Sequence, residues 1–168
     1  SSTELSDIVE SLRENEKTVL FCGDGLGVRT FAMNSMGIDA NGFDISEWAV
    51  KNNIGNLPNF IYWQDDIVNY KKEKDMDYYW LIVAYDLLEH IDYKDIDKTL
   101  DNIYNLGTKH FIFSLPFKGE NPDLYKDATH KIFEDRNWWM TKLEEHKFKI
   151  NETPQWFNYW QQILVAEK

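Results

Sequence analysis

The sequence is poor in the residues that brace or anchor a chain from outside its own core. It holds one cysteine, Cys22, so no disulfide can form within the chain, and a reducing, cytoplasmic setting is the expectation. No run of about 18 apolar residues occurs, and no basic segment leads into an apolar one at the N-terminus, which argues against a membrane span or secretory signal. Basic residues are scarce. The 18 lysines and arginines face 29 aspartates and glutamates, for a net charge of −11. Sequence-independent binding to long nucleic acid needs cations that displace counterions from phosphates, so this balance argues against a nucleic-acid partner. Lys71, Lys72 and Lys74 are interleaved with Glu73 and Asp75 and read as a solvated loop. No repeat, low-complexity tract or flexible linker divides the chain, so residues 1–168 are expected to form one domain with a core of its own.

What the chain does have is aromatic area and a regular alternation of element signals. Aromatics make up 15% of residues and cluster late, at Trp138, Trp139, Trp156, Phe157, Tyr159 and Trp160, where they suit either a core or a pocket lid. Leu5, Ile8, Val9 and Leu12 share one face of a helix expected from Thr3 to about Asn15. Thr18 to Cys22 reads as a buried strand ending in glycines, followed by a helix from Arg29 to about Met36. A second strand is expected from Ile38 to Asp44, and a helix from Ser46, a good N-cap. Further strands are expected at Phe60–Trp63, Trp80–Tyr85, His110–Leu115 and Trp160–Val165, with helices at Tyr93–Leu106 and Glu134–Glu145. This alternation predicts an α/β fold with a mostly parallel sheet, the last strand entering antiparallel after an extended Lys149–Phe157 stretch.

Two local patterns point to a ligand. In Gly23-Asp24-Gly25-Leu26-Gly27, alternate glycines after the first strand allow a sharp turn and close approach of backbone to a bound group. The position that would complete a dinucleotide G-x-G-x-x-G is Val28, and no Gly-Lys-Ser/Thr loop is present, which argues against a dehydrogenase and a phosphate-transfer enzyme. The second pattern is Asp44 in Gly42-Phe43-Asp44-Ile45-Ser46, about 20 residues beyond the glycine turn, where an acid reaches both hydroxyls of a ribose.

With these residues in place the chain resembles the class I S-adenosylmethionine-dependent methyltransferases, over Val19 to Lys168. The glycine turn is similar to the family's first motif, with Gly23, Asp24, Gly25 and Gly27 as cofactor contacts, and Asp44 with Ile45 is similar to its second-strand acid. Gln64-Asp65-Asp66-Ile67 resembles the third-strand motif, in which an aspartate meets the adenine amino group and the next N–H meets the ring. Asp66 with Ile67 matches best, with Asp65 the alternative. Tyr85-Asp86-Leu87-Leu88-Glu89-His90-Ile91 resembles the Leu-Glu-His-Ile signature of small O-methyltransferases, and Phe113-Ser114-Leu115-Pro116 the strand entering the substrate loop. The resemblance implies a Rossmann-like three-layer sandwich, a mostly parallel seven-stranded sheet with an antiparallel C-terminal hairpin, and S-adenosyl-L-methionine as cofactor. It departs from the family at Phe21, where an acid that helps orient the methionine amino group usually stands; Asp86 or Asp24 is the expected substitute. The acid that usually begins the fourth strand is also missing around Trp80, with Asp75 and Asp77 in the preceding loop.

Asp127-Ala128-Thr129-His130, followed by Trp138-Trp139 and Phe148, resembles an arrangement in small bacterial methyltransferases linked to glycan assembly. His130 is the expected base for a substrate hydroxyl, with His90 and Glu89 as further catalytic candidates. The alternative for His130 is a structural histidine. Phe117, Tyr125, Trp138 and Trp139 are candidate walls for the acceptor. Asp86, Glu89, His90 and His130 are similar to sets that hold a divalent cation against vicinal sugar hydroxyls in some families, the alternative being that Glu89 and His90 merely orient the helix behind the cofactor. The expected activity is methyl transfer to an oxygen of a small-molecule or saccharide acceptor. A metal-assisted RNA 2′-hydroxyl methyltransferase and a non-catalytic cofactor-binding scaffold are the alternatives, and fold alone does not choose among them.

Overall fold

In β1 (Thr18–Cys22) every second side chain turns to the opposite face of the sheet, and both faces are buried. Val19 and Phe21 join Ile8 and Leu12 of α1 (Leu5–Arg13), whereas Leu20 and Cys22 pack on the other face with Ile96, Leu100 and Ile103 of α4 (Ile96–Leu106). A strand covered on both sides must be apolar throughout, which is why this run carries no polar alternation. The computed structural model describes residues 5–13, 17–71, 78–120, 127–151 and 162–168.

The remaining elements are α2 (Val28–Ser35), β2 (Asp39–Asp44), α3 (Glu47–Lys51), β3 (Tyr62–Gln64), β4 (Tyr79–Tyr85), β5 (Gly107–Leu115), α5 (Arg136–Glu145), β6 (Lys149–Asn151) and β7 (Gln162–Glu167). Seven strands form one sheet in the order β3-β2-β1-β4-β5-β7-β6. The first five are parallel, β7 runs antiparallel to β5, and β6 antiparallel to β7. This is the expected mostly parallel three-layer α/β sandwich with its antiparallel C-terminal hairpin. From β1 the chain winds outward through β2 and β3, then returns to lay β4 on the other side of β1. The strand order therefore reverses between β1 and β4, and a crevice opens at their carboxyl ends.

Several boundaries differ from expectation for local reasons. Ser46 caps α3 as expected, its side chain accepting from Ala49 N at 3.2 Å. Phe60 lies in a turn before β3 and is exposed, so the third strand begins later than its apolar sequence suggests. The helix expected from Glu134 starts at Arg136 because Asp135 caps it, accepting from Trp138 N at 2.8 Å. Strand β5 begins at Gly107, directly after α4, three residues before the apolar run. Trp156, Phe157, Tyr159, Trp160, Lys72, Glu73, Lys74, Asp75 and Asp77 lie outside the described residues. Among the described residues no helix is long and apolar enough to cross a membrane.

One surface contact joins α4 to the end of α5. His146 Nδ1 lies 2.7 Å from Asp101 Oδ1 and its Nε2 2.8 Å from Asp97 Oδ1, which Lys142 also approaches at 3.0 Å. Burial draws the imidazole's pKa down, but the hydrogen bonds and charges of Asp97 and Asp101 outweigh it, and the net shift is upward. A raised folded-state pKa means the stabilisation is complete below the unfolded value of 6.5 and is lost as pH rises through the folded value. Thermal unfolding should accordingly show a decline of about 1 kcal/mol or less across that window. His146→Ala should flatten it, and an unaltered profile in the variant would exclude this ion pair as the cause.

Candidate functional site

The glycine turn leaves β1 in a conformation that L-residues avoid. Gly23, Gly25 and Gly27 have φ of 71°, 58° and 76°. A Cβ on Gly23 would lie 2.9 Å from Leu87 Cδ1, whereas at Gly25 it would meet nothing within 4 Å, so there the dihedral alone demands glycine. Backbone and side chains pin the turn. Gly23 N and Asp24 N donate to Phe43 O at 2.9 and 3.2 Å, and the Tyr62 hydroxyl donates to Gly25 O. Burial, then the charges of Asp44 and Asp24, push the Tyr62 pKa far upward, which keeps that hydroxyl protonated and a donor.

Asp44, at the end of β2, faces this turn. Its Oδ2 accepts from Gly25 N at 2.8 Å and its Oδ1 from Ser46 N at 2.9 Å. An ionised carboxylate has about four acceptor positions, so each oxygen retains capacity for a ligand hydroxyl.

Asp24 takes a different role from the one expected. Its Oδ2 accepts from Thr30 N at 3.0 Å and Thr30 Oγ1 at 2.8 Å, and Arg29 Nη1 lies 3.4 Å from its Oδ1. Helix α2 starts at Gly27, which has no side chain to cap it, and the buried Asp24 carboxylate supplies the missing acceptor near the positive end of the helix dipole. The Asp24 side chain is thus turned under α2, away from the crevice, and is not positioned to replace the acid missing at Phe21. Phe21 itself is buried in the sheet. Thr30 in turn explains Gly42, where a Cβ would lie 2.3 Å from Thr30 Oγ1.

At the strand-order reversal lies a cleft of about 220 Å³. Gly23, Asp44, Ile45, Asp65, Asp66, Ile67, Asp86 and His90 line it, all of them sequence candidates, and Phe43, Leu87 and Ile91 complete its apolar wall. The last three lie inside the motifs read from the sequence, but as apolar neighbours of acids they gave no separate signal. A second hollow of about 260 Å³ shares Ile45, Asp65 and Asp66 and extends to Gln64 and Lys71. Asp65 Oδ1 accepts from Asp66 N at 2.8 Å and Lys71 N at 3.3 Å. Asp66 spends both oxygens on its own turn, Oδ1 on Val68 N at 2.9 Å and Oδ2 on Asn69 Nδ2 at 3.1 Å.

Gly25, Gly27, Tyr85, Glu89 and His130 do not line the cleft. Tyr85 carries the Arg29 guanidinium over its ring at 4.1 Å, a cation beside the glycine turn that sequence reading missed. Beyond Asp86, a single 3-10 turn, Leu88–His90, brings Glu89 and His90 up to the loop holding His130. The carbonyl of Glu89 accepts from Lys131 N at 2.7 Å and Ile132 N at 3.1 Å, which fastens the two segments. The His90 and His130 rings meet edge to face, centroids 5.0 Å apart. His90 Nδ1 donates to Thr129 O at 3.1 Å, and its Nε2 lies 3.5 Å from Asp86 Oδ1, a contact that favours the protonated ring. The hydrogen bond to Asp86 leads the causes that raise the His90 pKa, against burial, which lowers it.

The expected acceptor walls are corrected. Phe117 and Trp139 are fully buried in the core, Trp138 is half-buried against Tyr93, and Tyr125 lies outside the described residues.

No protein-family model and no curated protein matches the chain. Solved structures do. A SAM-dependent methyltransferase from Archaeoglobus fulgidus matches with a TM-score of 0.73 at 17% identity, over 96% of this chain and 90% of that one. Magnesium protoporphyrin IX methyltransferase from Synechocystis, solved with bound SAH, matches at 0.73 and 19% identity, over 97% and 79%. A SAM-dependent methyltransferase from Methanosarcina mazei matches at 0.76 and 12% identity, over 99% of both chains. Strand order, reversal point and these neighbours agree: the chain has the fold of the class I SAM-dependent methyltransferases.

Proposed function

We propose that the protein is an S-adenosylmethionine-dependent methyltransferase acting on an oxygen of a small-molecule or saccharide acceptor. The observation that carries this reading is the Asp44 carboxylate, bonded to Gly25 N and facing a cleft at the strand-order reversal. The residues present fit such a cofactor: an acid with spare lone pairs for two ribose hydroxyls, a glycine turn with open space at Gly25, and an apolar wall for a base.

When bound, S-adenosylmethionine supplies an electrophilic methyl group. Asp44 holds the ribose. Asp65 and Asp66 both line the cleft, and each keeps acceptor capacity for an adenine amino group beyond the bonds of its own turn. Asp86 is the acid left facing the cleft where a methionine ammonium needs one. On the acceptor side, an oxygen forms its bond to the methyl carbon as the carbon–sulfur pair returns to sulfur, and the hydroxyl proton passes to a base. His90 is favoured over His130 for that proton, since its ring stands at the cleft beside Asp86, which stabilises the protonated form, while His130 Nδ1 is buried. Leu87, Ile91 and Phe43 keep the cleft wall dry, which strengthens the polar contacts made there.

Calorimetry with S-adenosylmethionine and S-adenosylhomocysteine, using NAD and ATP as controls, tests the reading. Selective binding at micromolar concentration is expected. Absence of binding to either, or equal binding of NAD, would overturn it.

A further inference from the structure

We infer that Asp86, Glu89, His90 and His130 form a binding site for one divalent transition-metal ion, at the acceptor end of the cleft. One donor atom from each of the four residues can be chosen so that all lie within 4.8 Å of one another. Donors bound at about 2.0–2.2 Å to a common ion are about 3–3.5 Å apart when adjacent and about 4.4 Å apart across it, so the set would draw in around an ion on binding.

Three independent features mark these groups as more than neighbours. First, both imidazoles are oriented from behind in the way that ligating histidines are. His90 presents Nδ1 to the Thr129 carbonyl at 3.1 Å, and His130 has Nε2 3.4 Å from Asp127 Oδ2. In the neutral rings each contact fixes a tautomer and leaves the other nitrogen's lone pair for an ion. Asp127 is itself held, its Oδ1 accepting from Thr129 N at 2.8 Å and Thr129 Oγ1 at 2.6 Å. Second, the His130 side chain is 8% exposed, and its Nδ1 is buried with no hydrogen-bond partner among the described residues. A buried polar nitrogen left in that condition is costly unless something fills it. Third, the Glu89 side chain is wholly buried and belongs to the same set, so an ion held there meets a carboxylate already out of water. Its Oε1 lies 4.0 Å from His90 Nε2.

The donor set selects the ion. Two carboxylates and two neutral imidazoles carry two negative charges and mixed oxygen and nitrogen donors, which suit Mn²⁺, Co²⁺ or Zn²⁺ better than the all-oxygen preference of Mg²⁺ or Ca²⁺. The Asp86 side chain is 53% exposed, so the site is open on the side from which an acceptor arrives. Ion binding does not depend on the proposed methyl transfer. Where that reading holds, an ion held by these four residues would supply Lewis acidity to an acceptor hydroxyl, and Asp86 would serve as its ligand in place of a partner for the methionine ammonium.

Untagged full-length protein, stripped with chelator and free of cofactor, should be titrated with Mn²⁺ followed by electron paramagnetic resonance, and with Co²⁺, Mg²⁺ and Ca²⁺ by calorimetry. One Mn²⁺ or Co²⁺ per chain is expected, at least tenfold tighter than Mg²⁺ or Ca²⁺. His90→Ala and His130→Ala should each weaken it at least tenfold, and Asp127→Asn by roughly 10-fold through the orientation of His130. Circular dichroism melts identify any variant that fails to fold, and Asp127→Asn, exposed and outside the ligand set, keeps the test decisive in that case. Binding that is equal for all four ions, absent, or unmoved by the folded variants would overturn the site. Because no cofactor is present, ion binding without S-adenosylmethionine binding would fail the proposed function alone, and the reverse would fail this inference alone.

Discussion

Trp139→Ala is expected to cost the fold about 3–5 kcal/mol, the range for deleting a fully buried large aromatic. Trp139 has no exposed surface and lies in the core between α5 and the sheet, its ring 5.0 Å from that of Trp138. The loss has two parts, the transfer of the indole's apolar area and the cavity that the sheet and helix cannot close. Urea denaturation reads both, and Trp139→Phe, which refills most of the space, should recover much of the loss. Trp138→Ala should be far milder, because that ring is only half-buried at the edge of the core. If Trp139→Ala retained full stability and lost only activity, the residue would belong to the acceptor wall after all.

Asp44→Ala is expected to weaken S-adenosylmethionine binding by about 1–3 kcal/mol, roughly 5- to 150-fold, the scale of losing charge-assisted hydrogen bonds. Two losses combine at this position. On the proposed reading the ribose hydroxyls lose their acceptor, and Gly25 N loses the carboxylate that holds the glycine turn against β2. Asp44→Asn keeps a side-chain oxygen for one of these and should fall between the two proteins. Calorimetry on the three proteins separates the contributions. Unchanged affinity in Asp44→Ala would reduce this residue to a brace for the turn.

The elements were largely legible because their signals are local. Strand β1 is a five-residue apolar run whose end is marked by Gly23, and Ser46 announces α3 by its capping oxygen. Boundaries slipped where a cap or turn competed with hydrophobicity, as at Asp135 and Phe60. The residues that line the cleft were legible where one motif carries both an acid and its backbone, as in Gly42-Phe43-Asp44-Ile45-Ser46. Asp24 misled for the opposite reason: an acid inside a glycine turn looks the same whether it faces a ligand or caps the next helix, and only the position of Thr30 decides.

By itself, then, the sequence determined the layered α/β class, the glycine turn, the acid at the end of β2 and the excess of acids over bases. These depend on periodicity, spacing and composition, which are properties of neighbouring residues. Tertiary structure decided what depends on residues far apart in the chain. It turned Asp24 under α2 and put Tyr62 against Gly25, 37 residues earlier. It sent Trp139 into the core instead of the cleft, and it brought His130 against His90. Which face of a helix or loop meets which strand is settled by packing the whole core, and no local pattern encodes it.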